Sequence, residues 1–212
     1  MHRTADPAPV APFSDRLRTE TRAEHEAAER SGFIGALLGG RLGEADYWRL
    51  ISQYLPIYEA LEAAVSAAAV RDPLAAAFHD PRLARAEAIR ADLAARFGPR
   101  ARIDPPLEVT SRYARRLAGA PVPALLAHHY LRYLGDLSGG QAIGALVARH
   151  YGVPPEQLRL WDFSALGSPK RIKDEYRERL DQILDPAVQS AVLAEAKEGY
   201  RLTAELFEAL ER

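Results

Sequence analysis

The chain predicts an all-α protein folded as a single domain. Apolar residues recur at steps of three and four, as in Tyr47, Leu50, Ile51, Tyr54, Tyr58, Leu61 and Val65, which is the period of a helix with one buried face. No stretch alternates apolar with polar residues as a strand would. Ser-Pro, Asp-Pro and Gly pairs stand where the periodic runs begin and end. A length of 212 residues suits one core, and no linker is long enough to divide it.

Residues 1–12 read as a disordered N-terminal tail and residues 13–212 as the domain. Ser14 is placed to cap a first helix running to about Arg30, with Gly32 just past its end. A short helical piece, 33–38, closes at Gly39-Gly40. A long helix follows from about Glu44 to Ala69, and Pro56 should interrupt it with a kink. Asp72-Pro73 and Asp80-Pro81 each offer a cap followed by proline, and the second should open a helix ending near Phe97-Gly98. Another helix covers Val109 to Leu117. Pro123 should start the next long one, which stops at Tyr151-Gly152. Residues 153–167 read as irregular, anchored by Trp161 and Phe163. Ser168-Pro169 and Asp185-Pro186 start the last two helices.

Composition narrows the function. Apolar residues at 48% and charged residues at 27% are ordinary for a soluble globular chain. A net charge of -1 gives no argument for nucleic acid or a membrane surface. No stretch is apolar enough to span a bilayer, and the first residues have no signal-peptide core, so a cytoplasmic protein without a membrane anchor is expected. The absence of cysteine excludes disulfides, thiolate nucleophiles, iron–sulfur clusters and cysteine-held haem.

The most informative segment is Tyr130-Leu131-Arg132-Tyr133-Leu134-Gly135-Asp136-Leu137-Ser138-Gly139-Gly140-Gln141. Three glycines inside a helix each cost about 1 kcal/mol relative to alanine. A helix that keeps them needs its backbone close to something large, or needs to bend. Asp136 is the one acid among them.

Among the histidines, His2, His79, His128, His129 and His150 suit structural or solvated roles. His25 is followed four residues later by Glu29 on the same helical face, the spacing of a metal-bound imidazole with a carboxylate behind it. Spacing alone still favours an ordinary Glu/Arg-rich helix surface. His25-Glu26-Ala27-Ala28-Glu29 lacks the second histidine of a zinc-protease helix. No Glu-x-x-His occurs, which leaves a di-iron bundle unsupported. One histidine does suffice to hold the iron of a macrocycle, and a glycine-lined helix suits its flat face. Cations for two propionates are available on Lys173 and Arg177, four apart, and on Arg18, two turns before His25, although each is also an ordinary residue of a charged face.

These segments, in this order, resemble the haem oxygenase family over nearly the whole chain, from Leu17 to Leu210. The glycine segment is close to a family signature. Thr21 to Glu29 looks like the proximal helix, Tyr54 to Glu62 like the segment with a distal-side tyrosine, and Lys173 to Arg177 like the propionate-binding helix. Pro56 departs from the family pattern. The resemblance implies a multi-helix bundle with haem b between the first helix and a kinked, glycine-rich distal helix. It implies His25 as iron ligand with Glu29 as its neighbour, and Gly135, Gly139 and Gly140 against the haem. Asp136 would organise water beside dioxygen, with Tyr54, Tyr58 and Arg132 in or near that polar network. Arg18, Lys173, Arg177 and Tyr130 would meet the propionate edge, and Tyr200 the pocket wall. The implied reaction opens haem at the α-meso carbon to biliverdin, carbon monoxide and ferrous iron. Electrons would come from a partner such as a ferredoxin with its reductase, or another reductase. A non-catalytic haem carrier or sensor using the same pocket is the competing reading.

Overall fold

The structure, a computed structural model, describes residues 11–100 and 103–212. They form helices and turns with no strand among them, as the periodicity predicts. Most of the tail, residues 1–10, and with it His2, lies outside the described residues.

Helix α1 (Phe13–Glu20) and α2 (Arg22–Glu29) replace the single first helix expected. The chain breaks at Thr21, whose hydroxyl donates to the Leu17 carbonyl at 2.7 Å and competes with the helical ladder. Ser14 is not the cap. It lies inside α1, and its N–H donates instead to Asp181 at 2.8 Å, tying α1 to a later helix. Gly32 begins α3 (Gly32–Leu38), which is capped by Ser31. Helix α4 (Glu44–Ala69) continues through Pro56 as one element, and all seven residues of its predicted apolar face are buried.

Asp72 caps α5 (Pro73–Phe78). Asp80 opens only a 3-10 turn, Pro81–Leu83, and α6 (Ala86–Phe97) starts afresh. Arg85 explains that break. Its buried guanidinium folds back onto the carbonyls of Arg82, Leu83 and Ala84 and reaches the Asp162 carbonyl at 2.8 Å. Helices α7 (Glu108–Ala118) and α8 (Val122–His129) follow. The glycine segment then forms two π turns, Tyr130–Leu134 and Asp136–Gly140, before α9 (Gln141–Tyr151). Gly152 ends α9 in the left-handed conformation, φ 68°. Three 3-10 turns occupy 153–167, with Trp161 and Phe163 buried as anchors. Ser168 and Asp185 cap α10 (Pro169–Asp181) and α11 (Pro186–Leu210).

Helix α4 is the central element, packed on α6, α7 and α8, while α11 crosses α8, α2 and α3. The main core joins α4, α6, α7 and the irregular segment, and a second core joins α1, α5, α8, α10 and the start of α11. His128 and His129 are core histidines. The His128 ring accepts from the Tyr113 hydroxyl at 2.9 Å and donates to Glu195 at 2.8 Å. His129 pairs with the Tyr176 hydroxyl at 2.9 Å, and burial pushes its pKa down to about 3, which keeps it neutral.

Helix α11 approaches α8 closely enough that Gly199 has no room for a side chain. A Cβ there would collide with Leu131 and stand 3.0 Å from the His128 ring, which is pinned by two hydrogen bonds. Gly199→Ala should therefore destabilise the fold by about 1–3 kcal/mol through overpacking, read as a lower midpoint in urea unfolding. An unchanged midpoint would mean that the helices part without cost.

Candidate functional site: a cleft between α2, α11 and the glycine segment

A two-lobed cleft runs between α2 and α11 on one side and the π turns on the other. The outer lobe encloses about 420 Å³ and the inner lobe about 560 Å³, each within the range of about 300–1,000 Å³ of ligand pockets. The halves are continuous, because His25, Glu29, Leu131, Gly135, Ser138 and Tyr200 line both.

On the α2 wall, His25 keeps 47% of its side chain exposed, and that exposed surface faces the cleft. Its Nδ1 stands 3.5 Å from Glu29 Oε2. That carboxylate favours a proton on Nδ1 and leaves Nε2 with a lone pair available to a metal. Tyr200 of α11 meets the imidazole edge-on at 5.4 Å between ring centres, which fixes the ring plane.

The opposite wall exposes backbone at two positions. A Cβ built on Gly135 or on Gly139 meets nothing within 4 Å. Both glycines line the cleft, so a flat ligand can lie against the helix itself. Gly140 does not share that role. Its missing Cβ would stand 2.9 Å from Trp161 Cε3, which makes it a packing glycine turned away from the bare stretch.

Asp136 lies beside the bare face, buried, and accepts a 2.7 Å hydrogen bond from the Tyr58 hydroxyl. Desolvation raises its pKa from 3.8 to about 6; the Tyr58 bond and the charges of Arg132 and Arg85 oppose that rise without cancelling it. Tyr58 is fully buried and lines neither lobe, so its link to the cleft runs through Asp136. Arg132 is buried over the rings of Tyr54, Tyr113 and Tyr58, at 5.1, 5.3 and 5.8 Å from their centres. It donates to Thr203 at 3.3 Å, and its Nε–H has no acceptor among the described residues. A buried acid and a cation with a spare donor form a place suited to ordered water.

The outer lobe is polar. Arg18, Arg22, Tyr130 and Arg177 line it together with Asp15, Glu26 and Glu29. Arg18 pairs with Asp15 at 3.5 Å and Arg177 with Asp174 at 2.9 Å. Exposed pairs of this kind contribute about 0–1 kcal/mol, so either arginine can turn to a ligand carboxylate at little cost. Lys173 is half-buried and lines neither lobe, so the predicted pair reaches the cleft through Arg177 alone.

Sequence reasoning missed Thr203, Phe207, Ile34, Leu38 and Ile143 in the inner lobe. Only the helical period of α3, α9 and α11 could have singled them out, and that period marks core and pocket wall alike. Arg85 was also missed, since nothing local in the sequence shows an arginine folding inward.

Fold and cleft together define a helical protein built to hold a flat ligand between an imidazole and a bare stretch of backbone. The sequence profile of the family described as Heme oxygenase matches residues 11–209, and the chain belongs to that family. It is 32% identical to "Heme oxygenase 1" of Homo sapiens, over 94% of this chain and 72% of that protein. It is 32% identical to "Heme oxygenase" of Porphyra purpurea, over 95% of this chain and 87% of that one. Among solved structures it is similar to heme oxygenase-2 of Synechocystis sp. PCC 6803 in complex with heme and NO, with a TM-score of 0.89 and 29% identity over 95% of this chain and 86% of that one. It is also similar to the heme oxygenase of Leptospira interrogans, with a TM-score of 0.87 and 29% identity over 94% of this chain and 100% of that one.

The raised pKa of Asp136 carries a stability cost. Its ionised form is disfavoured in the fold, so the cost is fully present above about pH 6 and is lost as pH falls toward 3.8. Asp136→Asn, which can still accept from Tyr58, should stabilise the protein at pH 8 by at most about 3 kcal/mol. The gain should vanish near pH 3.5 in matched unfolding curves; an equal gain at both values would assign the effect to packing instead.

Proposed function

We propose that the chain is a haem oxygenase that opens haem to biliverdin, carbon monoxide and iron, with His25 as the single protein ligand to the iron. One observation carries the reading most directly. The imidazole of His25 shares a cleft with a helix whose Gly135 and Gly139 put no side chain into it, which leaves room for a flat macrocycle between them. The bound porphyrin, both cofactor and substrate, supplies the iron centre at which dioxygen and electrons are used.

The protein's own groups do the rest. Glu29 orients the His25 ring, and Tyr200 holds its plane. A neutral imidazole ligand gives less electronic push toward O–O cleavage than a thiolate would. Gly135 and Gly139 bring backbone against one face, which restricts where a small ligand can lean. Asp136 is held by Tyr58 beside that face and, with Arg132, organises water that delivers protons there. Arg18, Arg177 and Tyr130 meet the propionates at the outer lobe and so select which meso carbon is presented; the α position is the expected one. Arginines at this edge also suit an acidic electron donor such as a ferredoxin, or another reductase.

Purified protein mixed with hemin and supplied with a reducing system in air should lose its Soret band as a biliverdin absorbance grows. His25→Ala should abolish or blunt that conversion. A Soret band that persists under reduction would instead favour a haem carrier.

The pH dependence tests Asp136 separately. The ionised carboxylate accepts from Tyr58 and from water, so turnover should fall as pH drops through about 6. Tyr58→Phe removes a bond that lowers that pKa, and the midpoint should move upward. A profile flat from pH 5 to 8 would remove Asp136 from the proton path.

A further inference from the structure

The irregular segment 153–167 turns Trp161 against the helix face that carries Gly140 and Gly144. A Cβ on Gly140 would stand 2.9 Å from Trp161 Cε3, and one on Gly144 would stand 3.1 Å from Trp161 Cβ. These glycines are four apart, so the indole lies in a groove one helical turn long.

The indole is fixed in that groove. Its Nε1–H donates to the Tyr47 hydroxyl at 3.1 Å, and Tyr47 is fully buried in α4. On one side, Asp92 accepts from the N–H groups of Arg159 and Leu160 at 3.0 and 2.9 Å. On the other, Arg85 donates to the Asp162 carbonyl at 2.8 Å and lies 4.1 Å over the Phe163 ring. Trp161 also lines the inner lobe. One held side chain therefore touches both the cleft and the back of the turn that carries Asp136 and Gly139.

We propose that Trp161 is a positioning residue, whose indole, fixed through Nε1 to Tyr47, sets how far the second π turn stands from the porphyrin and where Asp136 sits above it. This deepens the haem-cleaving reading and rests on it. Simple wall-filling requires only bulk. The glycine groove and the donated hydrogen bond aim that bulk at one position of the turn. A misplacement near 1 Å at a reacting centre costs about 100-fold in rate, so a small change in the prop should show.

Four variants test this: Gly140→Ala, Trp161→Leu, the double variant, and Tyr47→Phe. Gly140→Ala should bind hemin as the parent does and form biliverdin about 10-fold or more slowly. The double variant should run faster than Gly140→Ala, because the shorter side chain gives the added methyl room. Tyr47→Phe should speed amide hydrogen exchange of residues 136–140 in the haem-free protein, with exchange in α7 unchanged. Parental turnover in Gly140→Ala, or a double variant no faster than Gly140→Ala, would overturn the proposal. So would unchanged exchange in Tyr47→Phe, which also decides the matter if Gly140→Ala fails to fold. If the parent protein makes no biliverdin, the haem-cleaving reading fails by itself, and the exchange measurement still decides whether Trp161 holds the turn.

Discussion

A helix can lie against a flat ligand only where it carries no Cβ, and the whole cleft depends on that constraint. Gly135 and Gly139 meet it, since a side chain's first carbon at either would project into open space. Their helix cost, about 1 kcal/mol each, is offset by the core around them, where each buried leucine or phenylalanine contributes about 1.5–3 kcal/mol. Leu134 and Leu137 flank the two glycines and are buried, so the segment stays anchored while Gly135 and Gly139 leave backbone bare.

The two ends of the cleft obey different electrostatics. At the outer lobe, arginines and carboxylates are exposed, paired weakly and free to exchange partners. At the inner lobe, Asp136 and Arg132 are buried, where a charge without a partner is costly and one with a partner is strongly held. Tyr58 gives Asp136 one fixed hydrogen bond, and three tyrosine rings surround Arg132. Orientation of a ligand belongs to the adaptable end, and placement of protons to the fixed one.

Local chemistry was legible in the sequence, and tertiary chemistry was not. Asp72, Ser168 and Asp185 cap the helices they were expected to cap, because a cap and the N–H groups it serves lie within a few residues. The apolar face of α4 was readable for the same reason. Ser14 failed as a cap because Asp181, distant in sequence, takes its N–H. The helix expected from Asp80 was cut by Arg85, whose acceptors include a carbonyl beyond residue 160. Of the three motif glycines, two face the cleft and Gly140 faces Trp161. Their spacing could not separate these roles, since a ligand and an indole ask the same thing of a backbone. His25, Asp136, Arg18 and Arg177 converge on one cleft, whereas Lys173 falls outside it by the turn of its own helix.

The π turns have a consequence for what this chain can tolerate. Each π turn accommodates one more residue than an α turn, and each residue rotates a helix by about 100°. The two turns thus set the phase between the His128–His129 side of the helix, locked into the core, and the α9 side, whose Gly144 meets Trp161. Losing a single residue between Tyr130 and Gly140 would swing one side out of phase with the other, though every motif residue that survived would be unchanged. The count of residues in this stretch is as much a part of the site as their identity. Variation among functional relatives should therefore take the form of substitution rather than insertion or deletion there.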